Sequence, residues 1–120
     1  MKMFATMLAA ATLCLGTTAS AAEFRCRGDR VEKSGSTWYT VRTSGADYAI
    51  EKSGSTRGRA VKRGSKYYVE VSGSTQATIE NGRIEKSGSS WAKVEQAQKV
   101  FDCPDVVAAT LWVLQQNGKL

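Results

Sequence analysis

The chain has 120 residues, a formal net charge of +6 at pH 7 and no histidine. This length suffices for one small domain. The lack of histidine removes the commonest general base, the Ser–His and Cys–His nucleophile pairs and most transition-metal sites. We therefore expect a protein that is not an enzyme and that needs no cofactor or metal. The positive charge favours an anionic partner, and ordinary solubility is the competing interpretation.

Residues 1–22 are typical of a secretory signal peptide that is removed. Lys2 gives a charged start, and an apolar run follows that is too short to span a membrane. Cys14 would suggest a lipoprotein, but Leu13 stands where lipidation needs a small residue. Without Lys2 the formal charge of +6 becomes +5. We expect the mature chain, residues 23–120, to be a bacterial protein that is periplasmic or secreted.

A unit centred on Ser-Gly-Ser or Ser-Gly-Ser-Ser occurs four times, and its copies begin 19, 19 and 15 residues apart. The copies are residues 31–38, 50–57, 69–76 and 84–91. Apolar and β-branched residues flank each turn, which is the pattern of a hairpin. The sequence thus predicts a single, mainly β domain. We expect an up-and-down antiparallel meander of eight strands in four hairpins over residues 28–94.

The faces of these strands can be assigned from Asn81-Gly82, the strongest two-residue hairpin signal in the chain. If each Ser-Gly-Ser is a three-residue loop, strand alternation gives one apolar and one polar face. A two-residue loop would mix charged and apolar residues on both faces. The predicted inner face is Val31, Tyr39, Val41, Ile50, Gly58, Ala60, Val69, Val71, Ala77, Ile79, Ile84, Ala92 and Val94. The predicted outer face carries Glu32, Glu51, Glu70 and Glu85 with Trp38, Arg57, Gln76 and Trp91.

Small residues are frequent on this inner face, which favours hairpins around a common centre or a small closed barrel. A parallel solenoid is the main alternative, and the 15-residue spacing argues against it.

Residues 104–117 predict one C-terminal helix that is apolar nearly all round and therefore well buried. Pro104 suits its first position, Asp102 or Cys103 is the candidate cap, and Gly118 follows as a stop.

Cys26 and Cys103 are the cysteines that remain after processing. In an exported chain they predict one disulfide, and two buried free thiols are the alternative.

Residues 82–94, Gly-Arg-Ile-Glu-Lys-Ser-Gly-Ser-Ser-Trp-Ala-Lys-Val, resemble the Gly-Arg-Ile-x4-Gly-x4-Ile/Val hairpin repeats of the small bacterial beta-flower proteins. Residues 50–61 fit the pattern less completely, and the resemblance covers about residues 28–94. It implies hairpin petals around a pseudo-rotational axis, in a family whose function is largely unassigned. This chain carries Trp, Arg and Gln where such repeats often have an aliphatic residue. The resemblance therefore transfers an architecture and no functional residues.

One position of the repeat carries Trp, Arg, Gln and Trp in turn, and it supplies the candidate site. We predict a binding surface made of Trp38, Trp91, Arg57, Arg59 and Lys93. Tryptophan rings stack on sugars and bases, and Arg and Lys hold anionic groups. The alternative is that the helix or a neighbouring hairpin covers both tryptophans as part of the core.

The other recurring polar groups have simpler interpretations. The glutamates recur in step with the repeat, which indicates pairing with Lys or Arg across strands and not catalysis. Backbone amides of the Ser-Gly-Ser segments are a candidate phosphate cradle, but hairpin turns explain these segments fully.

We expect a small exported, non-enzymatic binding or structural domain of the bacterial cell envelope. Its partner would be an anionic polymer, a glycan or a protein, with no transmembrane span. Nucleic acid is not expected, because no nucleic-acid-binding motif accompanies the basic residues. The alternative function is a secreted inhibitor of a hydrolase, with residues 43–48 as its insertion loop. Salt-sensitive polymer binding would favour the first, and tight binding to one protein the second.

Overall fold

The structure, a computed structural model, describes residues 22–120, so the predicted signal peptide lies outside it except for Ala22. Ten strands and two helices follow one another. They are β1 (Phe24–Arg27), β2 (Arg30–Lys33), β3 (Ser36–Ser44), β4 (Asp47–Lys52), β5 (Ser55–Arg63), β6 (Lys66–Val71), β7 (Ser74–Glu80), β8 (Arg83–Lys86), β9 (Ser89–Lys93), α1 (Val94–Gln98), β10 (Phe101–Asp102) and α2 (Asp105–Gln116).

The strands form one sheet in the order β10-β1-β2-β3-β4-β5-β6-β7-β8-β9. All neighbours are antiparallel except β1 and β10, which pair in parallel through Phe24 and Phe101. The predicted meander of four hairpins is confirmed, as β2–β9. The sheet has β9 and β10 as its two edges, so it is neither a closed barrel nor a set of separate petals. Two short strands, β1 and β10, add to the eight that the sequence predicts.

The Ser-Gly turns differ from the prediction in their length. Ser34 and Gly35 alone form the first turn, with φ of 54° and 82°, and the other three Ser-Gly pairs have nearly the same angles. Such positive φ at both central residues is the pattern of a type I′ turn, whose twist suits a hairpin. The three-residue loop that the sequence predicts is therefore wrong.

A β-bulge two residue pairs beyond each turn explains why the two faces are nevertheless apolar and polar. In the first hairpin Glu32 pairs with Thr37 and Val31 pairs with Tyr39, which leaves Trp38 as the extra residue. The same shift occurs in the other three hairpins. An extra residue restores the alternation that a two-residue turn would have reversed. The sequence argument rejected a two-residue turn because it considered that turn without a bulge.

The inner face is as predicted: all thirteen residues assigned to it are buried. They pack against α2, which contacts β5, β6, β7 and β10. Seven of the twelve α2 residues are buried, on nearly every side of the helix. The helix contacts both β10, at one edge of the sheet, and β7, near the other, so the sheet curves around it. The inner face is therefore concave and the outer face convex. Gly58 provides space on this face for Leu114 of α2, which lies directly against it.

The C-terminal helix is one residue shorter at each end than predicted. Pro104 is its N-cap, with no side-chain cap, so neither Asp102 nor Cys103 caps it. At the other end Gly118 has φ of 70°, and its N–H donates to the Gln115 carbonyl oxygen. The following N–H donates to Leu114, which completes a Schellman motif. The predicted stop at Gly118 is confirmed.

The disulfide between Cys26 and Cys103 is present and joins β1 to the segment before α2. The two cysteines are 77 residues apart, so the cross-link stabilises the fold by about 4.5 kcal/mol in the chain-entropy model. A side chain supports the same junction, since Gln98 Nε2 donates to the Cys103 carbonyl at 3.0 Å and to Asp105 Oδ1 at 2.8 Å. The start of α2 is thus fixed to the first strand and to α1.

Candidate functional site

The recurring glutamates lie on the convex face, and each forms an ion pair with an arginine. The pairs are Arg27–Glu32 (3.8 Å), Arg42–Glu51 (3.2 Å), Arg63–Glu70 (3.1 Å) and Arg83–Glu85 (3.7 Å). Three of the pairs cross between adjacent strands, as predicted, and the fourth lies within β8. The carboxylates are well covered, with 16–23% of each side chain exposed. The repeated glutamate charges on the convex face are therefore neutralised by neighbouring arginines.

A different arrangement lies at the end of the sheet that carries the four Ser-Gly turns. We call this end the Ser-Gly rim. It consists of the last residue before each turn and of the bulge residue after it. Across β2 to β9 these residues are Lys33, Trp38, Lys52, Arg57, Val71, Gln76, Lys86 and Trp91. The residues before the turns follow the alternation of the concave face, so the rim borders the inner side of the sheet.

Trp38 is the centre of the first part of the rim. It is 40% exposed, the one large hydrophobic side chain so exposed in residues 22–120. Lys33 Nζ lies 5.1 Å from its ring centroid and Lys52 Nζ lies 5.4 Å away, from the two neighbouring strands. The Phe24 ring meets it edge-on at 6.1 Å. Glu23 pairs with Lys33 at 2.8 Å.

Arg57 is the next bulge residue along the rim, and it lies near the buried Tyr39. Its Nε is buried and has no hydrogen-bond partner among the described residues. Burial raises the pKa of Tyr39, while the nearby Lys33 and Arg57 lower it and Glu23 raises it. These opposing effects show that Lys33 and Arg57 act on the same buried hydroxyl. Lys33 and Lys52 therefore lie over the Trp38 ring, and Arg57 lies beside the neighbouring Tyr39.

Two depressions of equal size lie beside the rim, at equivalent places in successive repeats. The first, about 300 Å³, is lined by Thr56, Arg57, Gly58, Arg59, Glu70, Ser72 and Gly73. The second, also about 300 Å³, is lined by Thr75, Gln76, Ala77, Thr78, Lys86, Ser87 and Gly88. Each lies between a bulged strand and the following Ser-Gly turn. The repeat thus forms the same kind of depression twice, lined by different side chains.

Trp91 ends the rim at β9, and it is only half-buried. Its ring meets Trp112 of α2 edge-on at 4.9 Å, and Lys86 Nζ lies 4.8 Å from its centroid. The helix contact that the alternative interpretation required is therefore present for Trp91. For Trp38 it is not the helix but Phe24 of β1 that supports the ring.

The five predicted binding residues do not share one face. Trp38, Arg57 and Trp91 belong to the rim. The rings of Trp38 and Trp91 contact Phe24 and Trp112 on the inner side, so the prediction that these two lie on the outer face with the glutamates is wrong. Arg57 lines the first depression together with Arg59 and Glu70 of the outer face. Arg59 lies opposite Ala49 and Glu70 on the convex face, although it also lines the first depression. Lys93 lies opposite Arg83 on the same convex face. Whether any of the five binds a ligand stays a prediction.

Sequence reasoning missed Lys33, Lys52 and Lys86 as partners of the aromatic rings. The signal was present, because three of the four repeats have Lys directly before Ser-Gly. The observed two-residue turn brings this Lys next to the bulge residue. The predicted three-residue loop would not bring them together.

The segment at residues 43–48, proposed as an insertion loop, does not protrude. Ser44 pairs with Asp47 and Thr43 with Tyr48, so only Gly45 and Ala46 remain as a tight turn. Neither helix of the described region has the length and apolar character that crossing a membrane requires.

Comparison with known proteins assigns no family: the chain matches no protein-family model, no curated protein and no solved structure. The hairpin repeats that the beta-flower resemblance implied are present, and the family itself is not shown.

Proposed function

We propose that this protein is a small exported, non-enzymatic domain of the bacterial envelope that binds an anionic partner at the Ser-Gly rim. The carrying observation is the exposed Trp38 with Lys33 and Lys52 over its ring. Arg57 adds a further cation beside the neighbouring Tyr39. Lys52 and Arg57 form no ion pair within residues 22–120, and only Glu23 offsets the charge of Lys33. Clustered cations beside an aromatic ring attract anionic groups and offer a surface for stacking.

The disulfide supports an extracytoplasmic location, since structural disulfides persist in oxidising compartments. A periplasmic or secreted domain meets the anionic polymers of the cell envelope. The beta-flower resemblance adds a hairpin-repeat scaffold to this proposal and no ligand. The hydrolase-inhibitor alternative has less support, because the segment that would insert into an enzyme is a tight turn.

The test compares two variants that remove the same charge from opposite ends of the sheet. Lys52→Gln/Arg57→Gln changes the rim, and Lys62→Gln/Arg30→Gln changes the other end. Each pair replaces one lysine and one arginine, and none of the four forms an ion pair in the described region. Binding of the oxidised chain 23–120 to immobilised anionic polysaccharide and to polyphosphate is measured at low and high salt.

We expect the rim variant to bind roughly thirtyfold more weakly, which corresponds to about 1 kcal/mol for each lost exposed contact. The control variant should lose much less, and high salt should weaken binding of the wild type. Equal losses in both variants would show that net charge alone drives binding. No binding of the wild type to either polymer at low salt would overturn the proposed function.

A further inference from the structure

We infer that the ligand of the Ser-Gly rim is a linear acidic polysaccharide that lies across the strand ends, and not a single small anion. This inference rests on the proposed function and names its ligand class. The order of residues along the rim supports a ligand of this kind. Trp38 and Trp91 stand near its two ends, and cations lie between them at Lys52, Arg57 and Lys86.

The length of the rim exceeds what a monomeric ligand can contact. Neighbouring strands lie about 4.8 Å apart, so the six steps from Lys33 on β2 to Lys86 on β8 cover roughly 29 Å along the sheet. The cations of the rim are spread over this distance. A sugar acid or a phosphate held by Lys33 and Lys52 at Trp38 would not reach Lys86, which lies four strand steps further, roughly 19 Å along the sheet.

The two equivalent depressions give an independent reason. They lie two strands apart, at a separation of roughly 10 Å. Arg57 and Arg59 line the first, and Lys86 lines the second. Glu70 also lines the first depression, where Arg63 holds its carboxylate at 3.1 Å. A ligand built from repeated units can place a group in each depression, and a repeated protein surface fits such a ligand.

Stacking favours an acidic sugar polymer among linear anions. Trp38 is exposed and is flanked by Lys33 and Lys52, and Trp91 is half-exposed beside Lys86. Each tryptophan thus stands next to an ammonium group. A sugar ring with a carboxylate can contact the ring of a tryptophan while its charge meets the neighbouring lysine. A polyphosphate chain offers the charge and no ring face.

The middle of the rim has uncharged residues, Val71 on β6 and Gln76 on β7, so a cation introduced there gives a gain-of-function test. Gln76 occupies the position that Arg57 occupies one repeat earlier. Its side chain makes only a 3.5 Å hydrogen bond to the Ser74 carbonyl within the described residues. Gln76→Arg should therefore extend the run of cations from β5 to β8. Arg57→Gln is the matched loss, since it makes the β5 position the same as the β7 position.

The experiment measures binding of size-fractionated linear oligouronides, from the monomer to chains longer than the rim, to wild type and to both variants. Polyphosphates of matched length form the second arm. We expect affinity to rise with length until the chain spans the rim, and then to level off. Gln76→Arg should tighten binding of the long oligouronides by about threefold to fivefold and leave the monomer unchanged, and Arg57→Gln should weaken binding by a similar factor.

The outcomes separate this inference from the proposed function. Monomer binding as tight as binding of the long chains would overturn the inference, as would a Gln76→Arg variant that binds long chains no better. Polyphosphate binding equal to or tighter than oligouronide binding would overturn the assignment to a polysaccharide, while the proposed function stands. No binding of either polymer at any length would overturn both.

Discussion

The closest contact between the sheet and its helix predicts the effect of a single methyl group. Gly58 lies on the concave face of β5, and a Cβ at this position would collide with Leu114 Cδ2 of α2. It would also lie 3.1 Å from Leu114 Cδ1 and 3.2 Å from the Glu70 carbonyl oxygen. Leu114 is fully buried, so it has little freedom to move away. Gly58→Ala should therefore force a displacement of α2 or of the strand.

The size of the effect follows from two opposing contributions. Overpacking of a well-packed core costs about 1–3 kcal/mol. Replacing glycine by alanine stabilises by about 0.4–1 kcal/mol through the unfolded chain, because Gly58 does not have a positive φ. We expect a net loss of about 1–2 kcal/mol. For a domain of this size that lowers Tm by roughly 5–10 °C.

The assay is urea unfolding followed by tryptophan fluorescence, on the wild type, Gly58→Ala, Leu114→Ala and the double variant. Leu114→Ala alone should cost about 2–5 kcal/mol, because it leaves a cavity. In the double variant the new methyl group occupies part of that cavity. The double variant should thus be more stable than the sum of the single effects by about 0.5–3 kcal/mol. A neutral Gly58→Ala, or strictly additive effects, would refute the proposed contact between Gly58 and α2.

Two further predictions concern a turn and the rim. Ser72 has φ of 52°, which asparagine tolerates better than serine, so Ser72→Asn should raise the free energy of unfolding by about 0.5–1 kcal/mol in urea. An unchanged urea midpoint would contradict this. The pKa of Tyr39 is raised above its ordinary 10.0, first by burial, so the folded state holds this proton more tightly. That contribution to stability is complete below pH 10 and is lost as the pH rises through the folded-state pKa; Tyr39→Phe should remove it. Arg57→Gln should raise this pKa further, which tyrosinate absorbance measures, and a lower pKa would show that the two side chains are not close.

The residues that the sequence placed correctly are those whose positions depend on hydrophobic alternation. Val31 and Ile50 face the core whether the turn has three residues, or two residues and a bulge. Burial of one face determines which alternate residues of a strand point inward. The sequence therefore predicts this inward set without the length of the turn. The bulge residue depends on the turn itself. Trp38 and Trp91 were therefore assigned to the outer face, although their rings contact Phe24 and Trp112 on the inner side.

The remaining differences arise from contacts between residues that are far apart in the chain. β1 has four residues and β10 has two, and the parallel pairing of Phe24 with Phe101 is not a local pattern. The curvature of the sheet depends on α2, which follows it in the chain. Sequence alternation predicted that this helix is buried, but not that the sheet curves around it.

The repeat itself separates the structural positions from those that vary. The glutamate is the same in all four units, and in each it pairs with an arginine on the convex face. The bulge position changes from Trp38 to Arg57, Gln76 and Trp91, although the same register shift occurs at each. At a position where the backbone pairing is constant and the side chain varies, the fold does not require one particular side chain. The Ser-Gly rim is therefore where this scaffold can differ in its ligand without a change of fold, and this agrees with the proposal that the ligand lies there.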